Sequence, residues 1–177
     1  MKKIKKILAA NRSEIAIRIF RAAEESGIKT AAIYSKEDRF ALHRFKTDES
    51  YLVGEGKGPI QAYLDINSII DIAKKAGVDA IHPGYGFLSE NPDLADQCEK
   101  NNIIFIGPTK EILNRLGNKT AAKEVADEAG VSTIPSVKVN EENKKTIHDE
   151  VSKIGYPVIV KASWGGGGRG MRVVRSA

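Results

Sequence analysis

The amino-acid sequence predicts an α/β protein whose first part is a Rossmann-like sheet of parallel strands. Short apolar runs alternate with amphipathic segments of helix length through roughly the first hundred residues, as in repeated strand–helix units. The chain also opens on a strand, a helix and a strand, at residues 4–10, 13–26 and 30–34. Such a unit favours parallel pairing with a right-handed crossover. The 177 residues, of which 41% are hydrophobic and 29% are charged, have the composition of an ordinary globular protein.

The first helix has two recognisable ends. Ser13 is the expected N-cap, because its hydroxyl can accept from the free N–H groups of a first turn, and Gly27 stands where a helix usually stops. The preceding turn, residues 9–14, contains no glycine. A dinucleotide-binding sheet carries Gly-x-Gly-x-x-Gly there, so that the pyrophosphate can approach the backbone. An NAD-dependent oxidoreductase is therefore disfavoured.

The alternation of strands and helices continues to about residue 106. The sequence predicts a short helix at 35–44, strands at 50–53, 79–82 and 103–106, a helix from Asp65 or Asn67 to Lys75, and a helix from Asn91-Pro92 to Lys100. Asn91 is the expected N-cap of the last of these. Pro92 suits the first helical position, where an N–H would have no partner.

A change of pattern between residues 107 and 118 predicts a domain boundary, which we draw between 1–110 and 111–177. Beyond it we expect helices that end at Leu116, Gly130 and Ile154, and a strand at 135–139.

The most informative stretch lies near the end of the sequence. A strand-like run ends in Lys161, a second one covers residues 171–174, and between them lie Gly165, Gly166, Gly167 and Gly168. Two residues suffice to turn a hairpin, whereas a glycine run lets backbone N–H groups approach a phosphate. We therefore expect a hairpin lid over a nucleotide phosphate, with the charge of Lys161 beside it. A plain flexible turn is the alternative.

A second candidate site follows the predicted strand at 79–82, and ligands of open parallel sheets bind beyond the carboxyl ends of the strands. Gly84 and Gly86 would allow a ligand to approach the backbone, and Tyr85 offers a ring and a hydroxyl. An elaborately capped loop is the alternative, and His82 is expected to be a hydrogen-bonded structural residue rather than a catalyst. Lys119, at the start of a helix, is either a phosphate ligand or a surface lysine.

Charge and cysteine content disfavour several classes of protein. The net charge of +5 is spread among alternating acidic and basic residues, which indicates a solvated surface and not a nucleic-acid site. Cys98 is the one cysteine, expected in a buried helix position, so no intrachain disulfide can form. No apolar run approaches the ~18 residues of a membrane span, and a cytoplasmic protein is expected. Zinc-spaced Cys and His residues, a P-loop and a nucleophile elbow are absent from the sequence.

Four stretches resemble the biotin carboxylase family in order and in spacing: residues 10–16, 80–91, 105–108 and 161–174. The resemblance covers essentially the whole sequence. Residues 43–49, 53–56 and 59–65, together with Trp164, resemble the pyruvate carboxylase branch, whereas the biotin carboxylase subunits of acetyl-CoA carboxylase usually carry another glycine in place of Trp164. This resemblance implies a Rossmann-like pre-ATP-grasp domain followed by the start of an ATP-grasp domain.

The resemblance also implies a role for individual residues. Lys119 and Lys161 would contact the phosphates of ATP. Gly165, Gly166, Gly167 and Gly168 would form the lid, with Gly167 and Gly168 nearest the nucleotide. Met171 would lie against the adenine. Those that would face bicarbonate and biotin are Tyr85 and Gly86. Those that would lie at a homodimer interface are Arg18, Arg21 and Glu25.

The implied reaction is the ATP-dependent carboxylation of biotin. ATP phosphorylates bicarbonate to carboxyphosphate, and the released CO2 carboxylates biotin carried on another domain or protein; pyruvate then becomes oxaloacetate in a full pyruvate carboxylase. The Mg2+ ligands and the remaining catalytic groups would lie beyond Ala177, so we expect an amino-terminal fragment with no complete catalytic set and no metal site of its own. The alternatives are a biotin carboxylase subunit of acetyl-CoA or propionyl-CoA carboxylase, and a non-catalytic module that only dimerises.

Overall fold

The computed structural model describes residues 3–117, 119–161 and 170–177. The chain forms two compact units, Met1–Leu113 and Asn114–Ala177. The elements of the first unit are β1 (Lys6–Ala9), α1 (Ser13–Glu25), β2 (Lys29–Tyr34), β3 (Glu49–Leu52), α2 (Ile66–Ala76), β4 (Ala80–His82), α3 (Pro92–Lys100) and β5 (Ile104–Phe105). Short 3-10 helices cover Glu37–Phe40, Leu42–Phe45 and Gln61–Leu64, and α4 (Lys110–Gly117) spans the boundary between the units.

The five strands of the first unit form one parallel sheet in the order β3-β2-β1-β4-β5. The central strand β1 pairs on one side with β2, where Leu8 lies beside Ala31, and on the other with β4, where Leu8 lies beside Ile81. The chain winds outward from β1 in both directions, so the strand order reverses between β1 and β4. In open α/β sheets this reversal is where ligands bind. The predicted Rossmann-like sheet is confirmed.

The core lies in two layers, one on each face of the sheet. Successive strand residues point to opposite faces: Leu8 and Ile81 pack in the layer that contains α2 and α3, whereas Ile7 and Ala80 pack in the layer that contains α1. Both faces of the sheet are therefore covered by helices, as parallel sheets require. Cys98, predicted to be buried, has no exposed surface and contributes to the first layer.

The second unit contains α5 (Lys119–Glu128), α6 (Ile147–Ile154) and the antiparallel strands β6 (Val158–Val160) and β7 (Arg172–Val174). The predicted pairing of two strands around the glycine run is confirmed. The strand predicted at 135–139 is wrong, since residues 131–140 form neither helix nor strand. Their apolar side chains do not pack into a core, because Ile134 and Val139 are 86% and 62% exposed. No helix in the described parts of the chain has the length and apolar character that crossing a membrane requires.

One predicted N-cap and one predicted helix are wrong, whereas the predicted starts of α2 and α3 are confirmed. Ser13 is the first helical residue of α1 and not its N-cap; Arg12 holds that position, without a capping side-chain hydrogen bond. The helix predicted at 35–44 is two 3-10 segments instead. Asn91 does cap α3, accepting from the backbone N–H groups of its first turn, and Asp65 caps α2.

Candidate functional site at the carboxyl edge of the sheet

The turn after β1 and the loop of residues 83–91 after β4 (the 83–91 loop) are joined by one buried side chain. Asn11 is only 3% exposed. Its Nδ2 donates to the carbonyl oxygens of Pro83 and Tyr85, both at 2.8 Å. Its Oδ1 accepts from the Arg12 backbone N–H at 2.9 Å. Because a buried amide is stable only when its polar atoms are paired, Asn11 fixes the position of the 83–91 loop against the end of β1.

The entry into this loop depends on His82 and Gly84. The Gly84 backbone N–H donates to His82 Nδ1 at 3.0 Å, so the neutral imidazole carries its proton on Nε2. Burial lowers the pKa of His82 from its ordinary value. This is the structural role that the sequence predicts for His82. Gly84 has a φ of +68°, and a Cβ there would lie 2.7 Å from Asn11 Nδ2, so only glycine fits against the Asn11 amide.

An open cleft of about 320 Å3 lies where the two segments meet, lined by residues 11–15 and 85–87. Tyr85, predicted to face bicarbonate and biotin, is 60% exposed beside it. Its hydroxyl donates to Glu14 at the start of α1, and this hydrogen bond raises the pKa of Tyr85. Gly86 is also exposed. The structure therefore brings both predicted residues to the mouth of one cleft at the carboxyl edge of the sheet.

Four side chains from four separate segments form a further group beside the cleft, which we call the Arg12 cluster: Arg12, Asp38, Tyr63 and Phe87. Asp38 Oδ2 accepts from Arg12 Nη1 at 3.1 Å and from the Tyr63 hydroxyl at 2.7 Å. The rings of Tyr63 and Phe87 are stacked, with centroids 5.1 Å apart. The Arg12 guanidinium carbon lies 5.6 Å from each centroid.

Titration of the Arg12 cluster follows from these contacts. Partial burial alone would raise the pKa of Asp38, but the hydrogen bonds from Tyr63 and Arg12 hold it below its ordinary value. The pKa of Tyr63 is raised, first by burial and then by donation to Asp38. Asp38 is therefore ionised and Tyr63 neutral near neutral pH.

Replacing Asp38 with asparagine is expected to destabilise the protein more at about pH 7 than at about pH 3. The folded-state pKa lies below the ordinary value of 3.8. The stabilisation by the carboxylate is thus fully present above that ordinary value and is lost as the pH falls through the folded-state pKa. Urea unfolding of the wild type and of Asp38→Asn at both pH values measures the difference in the free energy of unfolding between the two proteins. An equal difference in the free energy of unfolding at the two pH values would contradict an ionic role for Asp38.

The residues predicted to form a dimer contact lie along one side of α1. Arg18, Arg21 and Glu25 are all exposed, whereas the opposite side of the helix buries Ala16, Ile19, Phe20 and Ala23. Glu14 lies one turn before Arg18 on the exposed side.

The residues predicted to bind ATP are only partly described. Val160 lies opposite Arg172 in the β6–β7 pair, so Lys161 directly follows β6 and Met171 directly precedes β7, at the same end of the pair. Both are exposed, Met171 by 47%. Lys119 is the first residue of α5, but its side chain and Gly165, Gly166, Gly167 and Gly168 lie outside what the structure describes. Within residues 3–117, 119–161 and 170–177, no group of three or more His, Cys, Asp or Glu side chains is arranged to hold a metal ion.

Sequence reasoning missed the residues that hold the 83–91 loop in place. Asn11 was predicted only as a turn residue. Tyr63 and Phe87 lie in stretches that carry the family resemblance but were given no role, and Asp38 lies outside those stretches. One usable signal was the polar pair Asn11-Arg12 directly after a buried strand, since such positions lie at the ligand-binding edge of a parallel sheet.

The parallel sheet of the first unit and the antiparallel strand pair of the second define an α/β protein with a candidate ligand site at the carboxyl edge of its sheet. Residues 3–113 match the family described as "Biotin carboxylase, N-terminal domain". Residues 118–177 match the "Carbamoyl-phosphate synthase L chain, ATP binding domain". The chain therefore belongs to the biotin carboxylase family.

Individual relatives agree with the predicted branch. The chain is 58% identical to the pyruvate carboxylase of Bacillus subtilis, over 98% of this chain and 15% of the relative. Pyruvate carboxylase from Rhizobium etli, solved with the allosteric activator acetyl coenzyme A, is 55% identical with a TM-score of 0.88, over 99% of this chain and 16% of the relative. The resemblance to pyruvate carboxylases is confirmed, and the chain spans about one sixth of their length or less.

A third relative was solved with ligands of the predicted kind. The biotin carboxylase domain dimer of Hydrogenobacter thermophilus 2-oxoglutarate carboxylase was crystallised with MgADP, ADP and bicarbonate. It is 44% identical with a TM-score of 0.92, over 99% of this chain and 38% of that chain.

Proposed function

We propose that this chain supplies the amino-terminal sheet domain and the glycine-rich lid of a biotin-dependent carboxylase that carboxylates biotin with ATP and bicarbonate. The domains are residues 1–110 and 111–177. The observation that carries the proposal is the agreement of the whole chain with a biotin carboxylase domain solved with MgADP and bicarbonate. By the branch it resembles, the final acceptor is pyruvate, which becomes oxaloacetate. The chain has one cysteine and therefore forms no internal disulfide, which suits a cytoplasmic enzyme.

The nucleotide is assigned to the β6–β7 hairpin. Phosphoryl transfer requires positive charge and oriented N–H groups around the phosphates more than it requires a protein nucleophile. Lys161 is exposed directly after β6, and Met171 is exposed directly before β7, so an ammonium and an apolar thioether side chain belong to the same end of the strand pair. Lys119 and the backbone of Gly165 to Gly168 complete the proposed phosphate contacts. No three or more His, Cys, Asp or Glu side chains of the described residues are grouped to hold a metal ion. We assign the Mg2+ ligands to the part of the longer relatives that this chain does not cover.

The bicarbonate and biotin side is assigned to the cleft beside the 83–91 loop. The exposed phenol of Tyr85 and the exposed backbone of Gly86 are the groups offered there. Biotin is proposed to arrive on a carrier domain outside these residues.

Replacing Lys161 with methionine is expected to lower kcat/KM for ATP by roughly 10- to 100-fold, because a charge-assisted hydrogen bond to a phosphate is worth about 1.5–3 kcal/mol. The measurement is bicarbonate-dependent ATP hydrolysis in the presence of free biotin, with this chain joined to the rest of the biotin carboxylase region of a relative. Lys153→Met, at an exposed position in α6, is the matched control. Absence of biotin-dependent turnover in the wild type would refute the proposed function. An unaffected Lys161→Met enzyme would refute only the role of Lys161.

We also assign the exposed side of α1 to contact between two copies of the chain. Its support is the alignment of Arg18, Arg21 and Glu25 on one solvent-facing side of the helix, with charges of both signs. Arg18→Glu together with Arg21→Glu is expected to shift sedimentation of the assembled protein toward the monomer. Lys74→Glu with Lys75→Glu, a double charge reversal at the end of α2, is the control. Unchanged association of the α1 variant would exclude this surface.

A further inference from the structure

We infer that the Arg12 cluster is a positioning device for the candidate site: Arg12 and Tyr63, ordered by Asp38, hold Phe87 and thereby set the place of Tyr85 and Gly86. The effect on the loop stands on the geometry alone. Its consequence for the reaction rests on the proposed function.

The first step is that Tyr63 is rigid. Its hydroxyl donates to Asp38 Oδ2 at 2.7 Å and accepts from the Ser35 backbone N–H at 3.2 Å. The side chain has no exposed surface. A phenol that is buried and paired in both directions offers a fixed ring face to its neighbours.

The second step is that Phe87 needs this ring. Phe87 has a φ of +41°, in the left-handed region that a bulky residue rarely adopts. Such a conformation persists only where surrounding contacts fix it. Those contacts are the stacked Tyr63 ring, inclined by 17° to that of Phe87, and the Arg12 guanidinium.

The third step is that Arg12 is itself held in place. The ion pair with Asp38 orients the guanidinium, and the Arg12 backbone N–H donates to Asn11 Oδ1. The Asn11 amide in turn donates to the Tyr85 carbonyl oxygen. Asn11 and Arg12, adjacent in the turn after β1, therefore contact the 83–91 loop at Tyr85 and at Phe87, on either side of Gly86.

The consequence is that segments after β1, after β2 and before α2 all act on Tyr85 and Gly86, which are exposed next to each other in the 83–91 loop. Gly86 has a φ of +66°, and a Cβ there would meet no atom within 4 Å, so no other segment packs against it at that point. Its carbonyl oxygen accepts from the Ser89 backbone N–H at 2.9 Å, a contact within the loop itself. Its place relative to β1 is therefore set by the contacts of Tyr85 and Phe87 on either side of it. Arg12, Asp38 and Tyr63 act through Phe87 and are positioning residues, not catalytic ones.

The test compares Phe87→Leu, which removes the ring, with Phe87→Tyr, which retains it. Amide hydrogen exchange of the 177-residue chain, without nucleotide or biotin, is expected to be roughly tenfold faster at residues 84–87 in Phe87→Leu, given the usual strength of ring stacking and cation–π contacts. Exchange in β1 and β4 should be unchanged, and Phe87→Tyr should restore the slow rate. Phe45→Leu is the control, since Phe45 also contacts an arginine but is 63% exposed.

A second measurement separates positioning from a purely structural role. In the enzyme assay above, Phe87→Leu is expected to raise the KM for biotin or bicarbonate several-fold and to leave the KM for ATP unchanged. Unchanged exchange at residues 84–87, or faster exchange throughout the first unit, would overturn the inference whether or not the enzyme turns over. Faster local exchange with unchanged kinetics in an active enzyme would overturn its link to the reaction. An inactive wild type would refute the proposed function instead, and local exchange would still decide whether the cluster positions the loop.

Discussion

Replacing Gly54 with alanine is expected to lower the free energy of unfolding by about 2–5 kcal/mol, through backbone strain and overpacking together. Gly54 follows β3 with a φ of +60°, and a Cβ there would lie 2.4 Å from the Cα of Ala62. A backbone atom cannot move aside as a flexible side chain can. Ala62 is buried and precedes Tyr63, so any shift would also displace a ring of the Arg12 cluster.

The Gly56→Ala variant separates the cost of backbone strain from the cost of a steric clash in this turn. Gly56 has a φ of +79°, but a Cβ there would meet nothing within 4 Å. Urea unfolding followed by circular dichroism should show a loss of about 1 kcal/mol for Gly56→Ala and a much larger loss for Gly54→Ala. Equal losses would mean that the contact between Gly54 and Ala62 does not limit the fold.

Replacing Asn11 with alanine is expected to lower the free energy of unfolding by about 2–4 kcal/mol, since each buried group left unpaired costs about 1–3 kcal/mol. The substitution removes the donor from two carbonyl oxygens, of Pro83 and Tyr85. Water cannot easily replace the amide, because the position is 3% exposed. The 83–91 loop should detach from β1 and the cleft should lose its shape.

The matched substitution is Asn67→Ala on the exposed side of α2. It removes the same amide group from a solvated position, where the change in stability should stay within about 0.5 kcal/mol. Amide exchange at residues 84–91 should rise in Asn11→Ala and stay constant in Asn67→Ala. A cost for Asn11→Ala no greater than that of the control would show that the amide does not hold the loop.

The sheet could be predicted from sequence because its signals are local. Strands of a parallel sheet are buried on both faces and appear as short apolar runs, such as residues 7–9 and 31–33. Helix ends were predictable where a side chain caps its own helix, as at Asn91. Ser13 was not, since it is already the first helical residue, with a positive φ of 57°, and the N-cap position falls on Arg12, whose guanidinium has no acceptor for the free N–H groups. Here tertiary contacts override the local capping preference.

The candidate site was predictable only in its exposed part. Tyr85 and Gly86 stand in a conspicuous stretch, and the rule for parallel sheets assigns that stretch to the ligand edge. The side chains behind them could not be found in this way. Asn11 bonds to partners 72 and 74 positions away, and Asp38 meets Tyr63 across 25 positions. Such pairs follow from the arrangement of the strands, which a single sequence does not give at side-chain detail.

The central position of β1 also has a consequence for synthesis on the ribosome. β2 and β3 emerge soon after β1 and can pair on one side, but the other edge of β1 waits for β4. At about 5–20 residues per second, the stretch between β3 and β4 takes roughly 1–5 s to translate. During that time the apolar edge at Ile7, Leu8 and Ala9 is open to incorrect pairing. The candidate site cannot form until β4 pairs with β1. The nascent chain is therefore vulnerable to aggregation before it can bind a ligand.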